Sequence, residues 1–411
     1  MDATTSLLTV TVVLALAWIG GRAARLFGQP AVIGELAAGL VLGPSVLGAL
    51  SPQLSARIFT PDSTAMIGEL AEAAVLLFMF LVGLELDTAI LRRHAGGVAR
   101  IAVVNLLVPF AIGSGLALWL YPSMHGDVEN RVAFVLFAGT ALSITAMPVL
   151  TRILTDWRML GTTIGAIAVG CAAIDDVAAW TMLGFVAGLI RGQSTAAWLV
   201  TMGAVYLAVM LLGVRPILTR LAAARRDAFG RVLWILTLAT MAVVSSMATD
   251  RIGIHAVFGS FLAGACVPRR AAGLDGLAKP LHQASAILLP AFFVLVGLRT
   301  QAGLLNGAAN WAVVAALVVC ASAGKLGGGA LAARTLGFSW RDALALGALL
   351  NTRGLVALVA LDTGRSVGIL SPELFAMGVA MTFVTTLATV PILRALGFRP
   401  IAPATPGGRS A

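Results

Sequence analysis

RMLGTTIGAIAVGCAAIDDVAAWTMLGFVAGLIR, residues 158–191, carries no charge between its flanking arginines except one adjacent pair of acids, Asp175 and Asp176. As a helix rising about 1.5 Å per residue, it puts each aspartate roughly 25 Å from either arginine, half-way through a bilayer. A single ionised carboxylate at that depth costs about 2.5–3.5 kcal/mol on insertion scales. Two in a row are hard to explain as packing. The stretch predicts a chain that crosses a membrane and holds an acidic site at mid-depth, suited to carrying a cation, a proton or both.

Composition extends the membrane reading to the whole chain. Of 411 residues, 59% are hydrophobic and 11% charged, and the mean hydropathy is +0.97, whereas soluble domains average about 25% charged residues. The 45 glycines suit helices whose backbones approach closely. No charged n-region and cleavage site open the chain, so the first span is expected to be permanent. The net charge of +10 does not point to nucleic acid, because the basic residues are scattered between apolar runs. Cys171, Cys266 and Cys320 lie far apart in apolar spans without metal-ligand spacing and read as packing residues. There is no Ser/His/Asp set, metal cluster or phosphate loop, so neither an enzyme nor a resident cofactor is expected.

Apolar runs measured against a window of roughly 20 residues give an all-α polytopic membrane protein with thirteen transmembrane helices. They lie near 6–21, 31–50, 64–84, 97–120, 132–151, 161–190, 196–214, 232–249, 252–268, 281–298, 308–333, 342–361 and 373–393. Among the 28 Lys and Arg, six (Arg57, Arg131, Arg191, Arg251, Arg299, Arg365) then face one side, Lys325 and Arg353 lie within the membrane, and the remaining twenty face the other side. The positive-inside rule puts the N-terminus outside and the C-terminus in the cytoplasm of the plasma (inner) membrane.

Two spans repeat earlier ones. AVIGELAAGLVLGP from Ala31 and AVFGSFLAGACVP from Ala256 share Ala-Val, a glycine (Gly34, Gly259), an Ala-Gly pair (Ala38-Gly39, Ala263-Gly264) and a closing proline (Pro44, Pro268). The following spans both contain Leu-Val-Gly-Leu, in FMFLVGL from Phe78 and FFVLVGL from Phe292. Partners are an odd number of spans apart, so the second copy runs the opposite way through the membrane. Inverted repeats of this kind build many secondary transporters, with the site near the midplane. The layout is six helices, a linker and six helices.

In that layout the fifth spans of the two halves correspond, and both carry polar interruptions. One holds Thr140, Ser143, Thr145 and Pro148 in TALSITAMP, the other Asn351, Thr352, Arg353 and Gly354 in LNTRG. Unwound backbone is tolerated at this depth only where protein or water covers it, and its carbonyls can bind a cation. A kinked but continuous helix, with Ser and Thr bonding back to their own backbone, is the competing reading. Lys325, nine residues before Arg334 and about 13 Å into the membrane, needs a carboxylate partner; Asp175 and Asp176 are both candidates. Such a cluster would hold either a proton or a cation, with Asp176, Asp175, Ser143 and Thr145 as oxygen ligands for Na⁺ or K⁺. Arg353 reads as neutralising half-helix carbonyl ends, with Thr140, Pro148, Asn351 and Thr352 supporting the breaks. Glu69 and Glu85 read as end-of-span residues, Glu35 and Glu72 as funnel or interface groups, and His255 and His282 as structural.

These residues resemble the monovalent cation:proton antiporter-2 family, which has the NhaA-type fold with two discontinuous helices. The carriers of the likeness are GQPAVIGELAAGLVLGPSVLG, LFMFLVGLELD, SITAMPVLTRIL, AAIDDVAAW, GIHAVFGSFLAGACVPR, LLPAFFVLVGLRT and LNTRGLVALV, in family order over nearly the whole chain. The resemblance implies antiport of Na⁺ for H⁺, with K⁺/H⁺ exchange as alternative, by a homodimer whose core moves like an elevator. It implies dimerisation segments 1–94 and 231–304, core segments 95–194 and 305–396, a linker at 195–230 and a tail at 397–411. By that likeness Asp176 is the ion-binding carboxylate, Asp175 pairs with the lysine at Lys325, and the double acidic motif is similar to the electrogenic branch. Some relatives with potassium specificity carry Gln or Asn where Asp175 stands, and others carry a cytoplasmic nucleotide-binding domain; with the tail at 397–411, gating through such a domain is expected only if a separate subunit supplies it. A cation channel or a sodium-coupled symporter of an organic anion are the other classes considered. A channel needs weak sites along a pore, and the acid pair fits it poorly.

Overall fold

The computed structural model describes residues 3–85, 95–157, 159, 162–191, 193–224, 228–253, 256–268 and 278–398. Among these the regular elements are helical, and the sole β feature is an isolated bridge between His125 and Leu370. Among the described residues, ten helices are long and apolar enough to cross a membrane. The predicted spans without such a helix are 132–151, 252–268 and 342–361: the first and last are broken, and the middle one is a single short helix.

The first half runs through α1 (Ala3–Leu26), α2 (Ala31–Leu42), α3 (Pro61–Glu85), α4 (Ala95–Met124), α5 (Arg131–Ser143), α6 (Met147–Asp156) and α7 (Thr163–Arg191). Next come α8 (Gln193–Ala208) and α9 (Arg215–Ala224), joined by the π-helical turn Val209–Val214. The second half holds α10 (Ala228–Ile252), α11 (Ala256–Cys266), α12 (Ala278–Leu288), α13 (Pro290–Arg299), α14 (Ala308–Ser322), α15 (Gly328–Thr335), α16 (Trp340–Leu350), α17 (Leu355–Ser366) and α18 (Pro372–Ala395). Starts are set by local chemistry. Asn130, Ser339 and Ser371 accept bonds from the first-turn amides of Ala133, Asp342 and Leu374, capping α5, α16 and α18.

Glycine decides which helices can cross closely. A Cβ on Gly39 of α2 would strike the backbone of Val294 and Gly297 in α13, and one on Gly264 of α11 would strike Phe80 and Leu84 around Gly83 in α3. Backbone therefore meets backbone at both crossings, where any side chain would force the helices apart.

Helix α7 is packed by α4, α5, α6 and α16. Two of those neighbours end inside the bundle. Residues 144–146 separate α5 from α6, and 351–354 separate α16 from α17. The Ala146 amide donates to the Thr352 carbonyl at 2.9 Å, so the two breaks touch.

Candidate functional site

Asp175 and Asp176 sit in the middle of α7, both with no exposed surface. Successive residues of a helix project about 100° apart, so the two carboxylates see different surroundings. Asp175 Oδ2 accepts three bonds: from Lys325 Nζ at 2.7 Å, Thr145 Oγ1 at 2.7 Å and Asn105 Nδ2 at 2.9 Å. Lys325 is as deeply buried as its partner, so the pair is a fully desolvated ion pair. Of the two candidates for Lys325, the structure selects Asp175. Asp175 Oδ1 and both oxygens of Asp176 are buried without a donor.

Lys325 lies in the π-helical turn Ala323–Gly327 between α14 and α15. Such wide turns inside α-helices frequently mark functional sites. Glycines let the neighbours close in on it: Gly324 faces Pro109 of α4, and Gly347 of α16 faces the Leu326 carbonyl.

Each helix break is tied down by the residues around it. The last carbonyls of a helix have no partner within it, and in a membrane they need one. In α5, Ser143 Oγ donates to the Thr140 carbonyl at 2.8 Å. Arg353, fully buried, donates Nη1 to the Ala141 carbonyl at 2.7 Å and Nη2 to the Leu142 carbonyl at 2.5 Å. Thr140 Oγ1 bonds back to Leu136 O at 2.7 Å. The chain is thus both broken and back-bonded. Thr386 of α18 clamps the second break, accepting from the Arg353 amide at 3.2 Å and donating to its carbonyl at 2.7 Å. Asn351 Nδ2 reaches Ser322 Oγ at 3.2 Å, and Thr352 and Thr389 hydroxyls lie 3.3 Å apart.

Of the four oxygen ligands expected from the sequence, Asp175, Asp176 and Thr145 are buried at the site, and Thr145 is bonded to Asp175. The Ser143 hydroxyl, also buried, donates its proton within its own helix and keeps its oxygen lone pairs as acceptors. Pro148 has its backbone in α6; its ring lies outside the described residues, as do the Glu85 side chain and His255. Glu69 and Glu72 are exposed, Glu35 is buried in α2 and His282 is half-buried. Sequence reasoning missed Asn105. Its signal is a lone amide in the apolar run RIAVVNLLVPF, four residues before Pro109, which has no N–H to close the turn on the Asn105 carbonyl.

Five unsatisfied atoms at the site are acceptors, and Arg353 Nε is an unsatisfied donor. Asn105 Oδ1, Asn351 Oδ1, Asp175 Oδ1 and both Asp176 oxygens are buried acceptors lacking a donor. A buried acceptor in that state is costly until a proton, a water or a cation meets it. Among the described residues no group of three or more His, Cys, Asp or Glu could hold a metal ion.

The sequence profile described as Sodium/hydrogen exchanger, transmembrane, matches residues 10–396. The Na(+)/H(+) antiporter NhaS4 of Synechocystis sp. is 36% identical over 404 residues, 96% of this chain and 98% of its own. Cation/H(+) antiporter 20 of Arabidopsis thaliana is 36% identical over 90% of this chain and 45% of its own length. K(+)/H(+) antiporter 1 of Saccharomyces cerevisiae is 32% identical over 89% of this chain and 43% of its own. The chain spans nearly all of the cyanobacterial relative and less than half of the other two. In three dimensions it is similar to the sodium proton antiporter MjNhaP1 from Methanocaldococcus jannaschii, with a TM-score of 0.69 at 14% identity, covering 97% of each chain. The family resemblance read from the motifs is borne out, and a match that runs from the first span to the last leaves one conclusion: the chain belongs to the sodium/hydrogen exchanger family of multi-pass membrane proteins.

Proposed function

We propose that this protein exchanges a monovalent cation, Na⁺ foremost, for protons, using Asp176 as the carboxylate that holds either one. The observation that carries the reading is Asp176 itself: fully buried, with both oxygens free of donors, beside a carboxylate already neutralised by Lys325. Once ionised it needs a positive partner, and a proton and a metal ion satisfy it in mutually exclusive ways. No cofactor enters this cycle, since the cation and the proton are themselves the cargo. If Asp175 stays paired with Lys325, one proton leaves per cation. If the cation draws on Asp175 as well, Lys325 loses its partner and sheds a proton, and exchange becomes electrogenic.

The same reading covers the architecture: thirteen helices in inverted six-helix repeats, an NhaA-type fold with two discontinuous helices. The glycine crossings support it. Gly39 and Gly264 are repeat mates, as are Gly83 and Gly297; α2 meets α13 at one pair while α11 meets α3 at the other, the exchange of partners that a two-fold axis in the membrane produces. The dimerisation and core segments, elevator motion, homodimer, inner-membrane location and outside N-terminus follow from the family likeness and the charge asymmetry. A K⁺/H⁺ exchange is the second reading, favoured by the yeast relative's name.

The test is a proteoliposome assay with an internal pH-sensitive dye, adding Na⁺, K⁺ or Li⁺ with and without an ionophore clamp. The expected result is cation-evoked proton flux that Asp176→Asn abolishes. Flux that survives this substitution refutes the site, and cation movement that a proton gradient cannot drive uphill refutes exchange.

A further inference from the structure

Away from the acid pair, a cavity of about 300 Å³ lies between the α1–α2 corner and the ends of α6 and α18. Its polar lining is basic: Arg25 and Arg394, with Gln29, and no acidic residue. Gly28, at φ +70°, makes the corner, and its missing side chain is filled by the Arg394 guanidinium reaching across from α18. Neighbouring arginines are spent elsewhere: Arg341 donates to the Leu396 and Gly397 carbonyls, and Arg22 stacks over Trp18. Among the described residues Arg394 has no acceptor, and Arg25 gives only Nε, to the Gly21 carbonyl at 3.4 Å. The Gln29 Oε1 is buried without a donor. Pro30, also in the lining, precedes the uncapped and acid-free first turn of α2, whose dipole favours an anion.

We propose that this cavity binds a phosphate group, carried either by an anionic phospholipid headgroup or by a soluble phosphate. Two guanidinium forks match phosphate oxygens in a way that chloride cannot exploit. Ile153, Trp157 and Val390 in the same lining offer an apolar wall beside the charged donors. A phosphate held by Arg25 on one side and Arg394 on the other ties the α1–α2 corner to α18. Any motion of one against the other then has to break that tie, so occupancy slows transport.

Binding is tested apart from exchange, so failure here leaves the exchange reading untouched. The full chain in detergent is melted with inorganic phosphate against chloride at equal ionic strength. It is then melted in nanodiscs of phosphatidylcholine with and without phosphatidylglycerol. The expected result is a rise in Tm with at least one phosphate source. Arg25→Gln and Arg394→Gln should each raise the concentration needed for a given rise about tenfold or more, and Arg22→Gln, outside the cavity, should leave it unchanged. A response to the lipid alone assigns a headgroup; a response to inorganic phosphate assigns a soluble ligand. No response to either, or one unchanged in both cavity variants, overturns the proposal.

Discussion

One hydroxyl proton on Thr145 faces two acceptors, Asp175 Oδ2 at 2.7 Å and the Leu350 carbonyl at 2.8 Å. It can serve only one at a time, so Thr145 links the charge of Asp175 to the end of α16. Asn105 adds a donor that nothing else replaces. Replacing it with Leu removes a bond to a charged group, worth about 1.5–3 kcal/mol; the predicted outcome is a roughly tenfold or larger change in the apparent KM for the cation. A KM within twofold of wild type would show that the contact is idle. Competition at Asp176 also sets a pH dependence: while the site is protonated, log KM should fall by about one unit per pH unit for one displaced proton, and by about two if Lys325 also yields its proton. Lys325→Gln should bring any steeper slope back to one. The acid pair was legible in the sequence because its cost in a membrane has no bland explanation. Asn105 was marked only by its amide ahead of Pro109, and the partner that gives it a role lies 70 residues away.

At the scale of elements, α5 stops where its carbonyls find donors outside the helix. Arg353 supplies two of them, so removing it strands the Ala141 and Leu142 carbonyls in a dry interior. Arg353→Met is predicted to destabilise the protein by about 2–6 kcal/mol, two stranded acceptors at about 1–3 kcal/mol each. Arg353→Lys should recover only part, because an ammonium lacks the planar fork that spans two acceptors. Thermal and denaturant unfolding in detergent measures both; a lysine variant as stable as wild type would reduce the fork to a point charge. Both breaks were visible as polar letters, TALSITAMP and LNTRG, in otherwise apolar runs. The π turn around Lys325 was not. Its neighbours in AGKLGGG are small residues with no signal of their own, and the close approaches of Pro109 to Gly324 and of the Leu326 carbonyl to Gly347 exist only in space. The span expected at 252–268 holds only the short helix α11, because α10 runs on to Ile252 and α11 covers Ala256–Cys266.

Across the whole molecule, one exposed contact joins parts that the elevator reading requires to separate. Arg299, at the end of α13, holds both oxygens of Asp362 in α17 at 2.8 and 2.6 Å. Arg365 of α17 also donates to the Arg299 carbonyl at 2.7 Å. With side-chain exposures of 46% and 26%, the ion pair is screened and contributes at most about 1 kcal/mol to stability. Asp362→Asn should therefore leave the melting behaviour almost unchanged. In a two-state carrier the same energy counts differently: about 1 kcal/mol removed from one state alone shifts the populations of the two by about fivefold. Exchange in oriented proteoliposomes should then change by up to that factor, and in opposite senses for cation offered from the two sides. If α13 and α17 never part during transport, the variant will exchange at the wild-type rate from both sides, and the moving-core reading fails with it.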